Sequence, residues 1–269
     1  VESIWTNPAG LSGSAPAELA ILHSQDFFAT ANAIAVALPA ILKGNLVAAA
    51  EVHDFGAQEV TGEPGSPPLG TILPRAVVLD ASYAAGLGRS VRLGVSLKLV
   101  QLRLDCSGSC NIRSEVSQTK ALDAGIQWDL GNEEQITVGA SVRHLGEPLH
   151  AGGGTQDELP TRVQVGVAMR YPVPVRYREL VSGAISADFV QGARDRSRQL
   201  RLGGDLAWEN HAFIRAGYVF AEGSGETSGP ALGLGIISGS LHVDIARIFS
   251  GFSTDAGQAP TYLSILLRF

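Results

Sequence analysis

Polar and apolar residues alternate along most of this chain with a period of two. In "RVQVGVAMRY", Val163, Val165, Val167, Met169 and Tyr171 share one face, while Arg162, Gln164, Gly166, Ala168 and Arg170 share the other. Successive side chains of a strand point to opposite sides, so each such stretch is a ribbon with one apolar and one polar or small face. The pattern recurs in "QLRLGGDLAW", "SLHVDIA", "ALDAGIQWDL" and "AVVLDASYA". About fourteen stretches carry it, at roughly 17–24, 30–38, 45–55, 76–85, 90–104, 117–129, 134–146, 160–171, 179–190, 197–208, 211–221, 229–238, 240–249 and 259–269. The stretch at 90–104 changes apolar phase near Val100 and Gln101, which predicts a β-bulge there.

The connections alternate in length. "GAQEVTGEPGSPPLGTILP", "CSGSCNIRSEV", "GEPLHAGGGTQDEL" and "EGSGETS" are long, whereas "GLGR", "GNEE", "EN" and "SG" are tight. An even number of strands with long loops on one side and short turns on the other is the pattern of a transmembrane β-barrel. A soluble sandwich also alternates, so the strand ends must decide. Outward-phase aromatics close the strands on the short-turn side at Tyr83, Trp128, Tyr171, Trp208 and Phe269. Phe55, Phe189, Phe220 and Phe249 do so on the long-loop side. Two such girdles match the two interfaces of a bilayer. The chain is therefore expected to be all-β: a single closed antiparallel transmembrane β-barrel over 17–269, preceded by a short N-terminal plug at 1–16. Its last strand, "YLSILLRF", places Leu263, Ile265, Leu267 and Phe269 on one face, in the manner of the terminal signal that outer-membrane insertion machinery reads.

Composition narrows the partners. Charged residues make up 17% of the 269 and the net charge is −6, so no basic face for nucleic acid is expected. No run of 18 apolar residues occurs, which excludes a transmembrane helix. Val1 stands where an initiator Met would, and no signal peptide is visible, which predicts a matured chain that has lost its leader. Cys106 and Cys110 fall in a long loop expected to face the oxidising exterior, and they are expected to pair.

No constellation for catalysis stands out. His242 and Asp244 share a face, but i, i+2 polar pairs are what a barrel lumen presents. Gly233 and Gly235 have dinucleotide-loop spacing, yet Ser238 occupies the third glycine's place, with no strand–turn–helix around it. The two cysteines have no matching second pair for a metal. Neither an enzyme nor a cofactor site is expected. The inward phase carries mixed charges at Asp80, Arg92, Asp123, Arg143, Arg162, Arg170, Asp188, Arg201, Asp205, Arg215, Asp244 and Arg268, with Glu51, Lys98 and Asp129 beside them. These are expected to form a solvated ion-pair network that stiffens the wall.

The opening "SIWTNPAGL" lacks strand alternation, and Asn-Pro marks a turn. A barrel of fourteen strands is too wide for wall side chains to fill, so this segment is expected to fold inward, with Trp5 and Leu11 against the wall. This opening, the strand number and the terminal Phe269 resemble the PorV/PorQ group of outer-membrane barrels, itself similar to the FadL long-chain fatty-acid transporters. The FadL hatch carries an Asn-Pro-Ala motif, matched here by Asn7, Pro8 and Ala9 and extended by Gly10 and Leu11, with Trp5 just before it. The Gly-rich lead that precedes the motif in the family is absent. The resemblance implies a bacterial outer-membrane location with long loops outside and the C-terminus in the periplasm. A PorV-like role would be to bind or anchor secreted or surface proteins in a type IX-like secretion system, through a protein partner at the external loops. The alternatives are a FadL-like channel for a hydrophobic small molecule and a structural subunit of a surface complex. Membrane lipid is a partner in every case.

Overall fold

The computed structural model describes residues 1–12, 17–27, 29–41, 44–62, 67–110, 114–130, 136–150, 156–171, 173, 175–177, 180–194, 196–223, 228–250 and 259–269. Residues 13–16 of the expected inner segment lie outside this set, as do 63–66, 111–113, 131–135, 151–155 and 224–227 of the expected loops and turns.

Fourteen strands form the wall: β1 (Glu18–Gln25), β2 (Thr30–Ile41), β3 (Gly44–Asp54), β5 (Gly70–Leu87), β6 (Val91–Gly108), β7 (Glu115–Leu130), β8 (Ile136–Gly146), β11 (Arg162–Arg170), β12 (Val181–Gly192), β13 (Arg198–Trp208), β14 (Ala212–Glu222), β15 (Gly229–Ser238), β16 (Leu241–Ile248) and β17 (Thr261–Arg268). Each pairs antiparallel with its neighbours, and two pairings complete the circle. Gly44 to Asp54 of β3 pair with Ala85 to Arg75 of β5. Glu18 to Gln25 of β1 pair with Arg268 to Thr261 of β17, so the chain's last strand meets its first. The short strand β4 (Gln58–Val60) adds to β5 outside the ring. A small ribbon, β9 (Leu149–His150) with β10 (Gln156–Asp157), stands apart.

The alternation sets which face is which. Leu97, Ile126, Leu206, Ile214, Leu234 and Ile236 are among many large apolar side chains exposed on the outer surface. Their inward neighbours Ser96, Asp123, Ala207 and Gly235 are buried. An apolar exterior around a polar interior inverts the soluble pattern and suits a lipid solvent. The girdle aromatics Trp128, Tyr171, Trp208, Phe269, Phe55, Phe189, Phe220 and Phe249 are all exposed. Tyr83 is half-buried; its ring lies over the outer face of Gly44, where a Cβ would stand 2.6 Å from its hydroxyl. The tight β13–β14 turn places Glu209 and Asn210 both at positive φ, with His211 N donating to Trp208 O. This mirror turn follows the twist of its strands.

The bulge expected at Val100 and Gln101 is not formed. β6 runs in unbroken register with β5 along its whole length and with β7 as far as Leu104. The phase change has another cause. Below it Leu93, Val95, Leu97 and Leu99 face out. Above it Val100 and Leu102 point inward against buried Ala121, Leu149 and Leu159. The apolar side switches because the wall leaves the lipid belt and begins to line an internal cap. Irregular register occurs instead between Leu38 and Ile41 on β2 and between Leu122 and Ala124 on β7. In the second case Asp123 lies opposite both Arg143 and His144, and His144 takes φ 55°.

Wall height is uneven. β5 and β6 have 18 residues each, whereas β1, β16 and β17 have eight. A tilted strand needs about 9–11 residues to cross a bilayer, so β5–β6 rises well beyond the belt on one side. The expected strand starts and ends at 76–85 and 90–104 fell short here, because polar residues such as Arg75, Arg103 and Asp105 continue the ladder outside lipid. Val95 is the middle residue of the outward run Val91 to Leu99. Val95→Arg should lower stability in liposomes by about 2–4 kcal/mol in a urea titration, while Gln101→Arg should change it little.

Candidate functional site

The inner segment lies within the ring as two 3-10 turns, Glu2–Trp5 and Pro8–Ser12. Ile4, Pro8 and Ala9 are fully buried. Ile4 and Leu11 pack with Ala35, Ala37, Val47, Ala49 and Ala84 of the wall, and Trp5 is partly buried against the same cluster. Alanines and glycines at these inward positions leave the room that the segment fills. Gly94 and Gly125, cross-strand partners on β6 and β7, form its closest seat. A Cβ on Gly94 would overlap the Pro8–Ala9 peptide, and one on Gly125 would overlap Asn7 Oδ1.

Asn7 uses both ends of its amide. Its Nδ2 donates to the carbonyls of Ile126 and Ala140, each at 3.2 Å, which are register partners on β7 and β8. Its Oδ1 accepts from Ala9 N at 3.0 Å, and Gly10 N closes the turn on Asn7 O at 3.0 Å. An Asn before a proline thus shapes its own turn and fastens it to the wall. Other anchors come from the wall: Ser141 Oγ donates to Thr6 O at 3.2 Å, Arg143 Nη1 to Trp5 O, and Asn45 Nδ2 to Leu11 O. Gly10 packs against Ser3, whose Oγ would stand 2.7 Å from an added Cβ.

Above the seat, three strands share a buried ionic group. Lys98 Nζ lies 2.6 Å from Asp123 Oδ2 and 3.5 Å from Asp80 Oδ2, with all three side chains at most 2% exposed. Ser82 Oγ donates to Asp80 Oδ1 at 2.7 Å, and His144 N to Asp123 Oδ1 at 2.7 Å. Over this sits the apolar cap of Leu149 and Leu159. The loop that carries the cap is held down by Ser117 Oγ to His150 O at 2.6 Å and Thr119 Oγ1 to Glu147 O at 2.8 Å. The lumen beside β5–β8 is therefore filled from seat to cap.

The inward charges do not converge on one centre. Arg92 pairs with Asp129, Arg215 with Asp244, and Arg268 with Glu18. Asp188 accepts from Gln164 Nε2 at 3.1 Å, and Arg201 Nε donates to Gln199 Oε1 at 2.8 Å. Arg143 and Arg162 are register partners, as are Asp205 and Arg215. Arg170 lies exposed at the end of β11. On the outer face Leu263, Leu267 and Phe269 are exposed, and Ile265 stands between Ile21 and Val243. Cys106 and Cys110 are disulfide-bonded at the end of β6 that rises beyond the belt. Lys98 as a hub, Ser117, Thr119, Leu149 and Leu159 were not singled out from sequence. The phase change at Val100 was the signal for the cap.

Open space lies on the far side of the lumen. A polar cavity of about 310 Å³ borders Thr6, Asn7, Gln127, Gln164, Asp188 and Arg201. A more apolar cavity of about 480 Å³ lies between Trp5 and the low wall, lined by Leu22, Ala31, Ala33, Ala246 and Tyr262.

A closed fourteen-strand barrel with an apolar belt, a charged lumen and an inward-folded first segment defines a transmembrane β-barrel of outer-membrane type. No protein-family model matches the chain, and no curated protein matches its sequence. Solved structures match its fold. It is similar to the Pseudomonas putida toluene transporter TodX, with TM-score 0.64 and 12% identity over 98% of this chain and 91% of that one. A mutant of the monoaromatic hydrocarbon channel TodX gives TM-score 0.65 at 13% identity, covering 99% and 94%. A Pseudomonas aeruginosa FadL homologue gives 0.57 at 11%, covering 99% and 94%. These neighbours are FadL-like barrels. At such identities the likeness is one of fold.

Two measurements test the seat and the ionic group. Gly125→Val should unseat the inner segment and raise single-channel conductance several-fold in planar bilayers, with the barrel still formed. Lys98→Met should leave two buried carboxylates without a counter-charge and lower stability by roughly 3–5 kcal/mol in liposome unfolding.

Proposed function

We propose that this chain is a bacterial outer-membrane channel that admits hydrophobic small molecules past its inward-folded segment. The observation that carries this is the 480 Å³ cavity, apolar on most of its wall, set between Trp5 and the small side chains of β1, β2 and β16. Ligand sites are concave and mostly apolar with a few polar groups, and this space fits a body of one or two rings. The fold neighbours whose names give a cargo handle toluene or monoaromatic hydrocarbons, which supports the same class here. The inner segment is the floor of that cavity, so passage requires it to shift. The long loops then face outward and the termini face the periplasm.

Uptake of labelled toluene by cells that lack a hydrocarbon channel and express this chain tests the reading. The chain should accelerate uptake, and Ala33→Phe, which fills the cavity, should return it to the background rate. Acceleration that survives Ala33→Phe in a correctly folded barrel would overturn the route. A second reading, a barrel that anchors secreted or surface proteins as PorV-like members do or serves as a subunit of a surface complex, has one observation in its favour. The β5–β6 hairpin extends past the ring, gains β4 as a third strand and carries the disulfide. A rigid scaffold that lifts loops outward suits protein binding. Surface proteins co-purifying in mild detergent would favour it.

A further inference from the structure

The cavity behind Trp5 has a charge bias. Its lining holds three acids, Glu2, Glu51 and Asp244. Among the described residues no Lys or Arg lines it, and His23 is the one His of its lining. The nearby arginines sit on other strands, and none lines the space. Arg143 donates to the Trp5 carbonyl. Arg201 borders the polar cavity and donates to Gln199. Arg215 pairs with Asp244 from the side of β14, where it borders a separate space lined by Gly203, Gly217 and Gly233. Glu51 faces His53 Nε2 at 3.1 Å, and Asp244 also faces His242 Nε2 at 2.8 Å, so histidines are their other partners.

We infer that this cavity accepts neutral or cationic hydrophobes and rejects carboxylates. The inference rests on the channel reading and specifies its cargo by charge. Asp244 is already matched by Arg215, but a carboxylate brought here would lose its water and meet Glu2 and Glu51, with no lining Lys or Arg to replace that water. An ammonium on the same hydrocarbon would gain those carboxylates, with the Trp5 and Tyr262 rings as further cation-binding faces. An uncharged ring would meet neither cost.

The test uses matched probes: ethylbenzene, 2-phenylethylamine and 3-phenylpropanoate. The chain has three tryptophans, of which Trp128 and Trp208 face outward. In a Trp128→Phe/Trp208→Phe background, Trp5 alone reports occupancy by its emission. Ethylbenzene and the amine should shift it, and the carboxylate should need at least about tenfold higher concentration. Replacing Glu2→Gln and Glu51→Gln should bring amine and carboxylate to within about threefold of each other. A carboxylate that binds as tightly as the amine overturns the charge bias while leaving the channel reading in place. A Trp5 signal that none of the three probes moves, ethylbenzene included, overturns the channel reading and this inference with it.

Discussion

A chain that sits in hydrocarbon must satisfy its backbone hydrogen bonds internally, since each unpaired group there costs several kcal/mol. Here that demand is met by closure: β17 against β1 and β3 against β5 leave no open edge in the belt. Everything else is conditional on this ring. Because the ladder is continuous, side-chain direction is fixed by parity alone, and one face goes to lipid while the other goes to the lumen. A ring of fourteen strands is also too wide to be filled by its own walls. The inner segment, the ionic group and the cap are answers to that excess volume.

Those fillers use different physics at different heights. At the base, backbone meets backbone: Gly94 and Gly125 let the Asn7–Ala9 turn lie directly on the wall, and Asn7 takes up two strand carbonyls. Higher up, Lys98 joins Asp80 and Asp123 across three strands. Ion pairs at this depth add little net stability over an apolar filling, but they fix which strands stand side by side. At the top, Leu149 and Leu159 close the space with apolar side chains. The bulge at His144 belongs to the middle layer, because the extra residue turns its N–H toward Asp123.

Strand existence and facing were legible because period-two alternation is enforced by two different solvents. All fourteen marked stretches correspond to wall strands. The outer ends of β5 and β6 were not legible, since beyond lipid no solvent contrast demands alternation. Val100 misled for a related reason: apolar residues facing inward look like a slipped register unless the cap they meet is known. The inner segment could be named from "TNPAG", yet its seat could not, because Gly94 and Gly125 are ordinary strand glycines until the turn is placed against them. The charged lumen residues were legible as inward but not as partners. Pairing depends on shear between strands, which sequence does not carry, so Lys98 stood among equals instead of at a hub.

The fillers are not distributed evenly round the ring, and this asymmetry is where the lumen acquires direction. Long, bulky and ionic side chains occupy β5 to β8, and β5, β6 and β7, with 18, 18 and 16 residues, are the longest strands of the wall. Gly203, Gly217, Gly233, Ala33 and Ala246 line the other side, where β1, β16 and β17 are shortest. Small side chains on a wall that nothing packs against leave cavities, and the polar and the apolar cavity both border this side or the edge of the inner segment. The segment's own contacts reach both sides of the ring: Asn7, Pro8 and Ala9 are fastened to β6–β8, Ile4 and Leu11 pack on β2 and β3, and the Val1 ammonium pairs with Glu18 of β1 at 2.8 Å. Between these anchors Trp5 and Glu2 border the open space. The anchors keep the ring filled, and Trp5 and Glu2 are the parts of the segment that a molecule in the cavity touches.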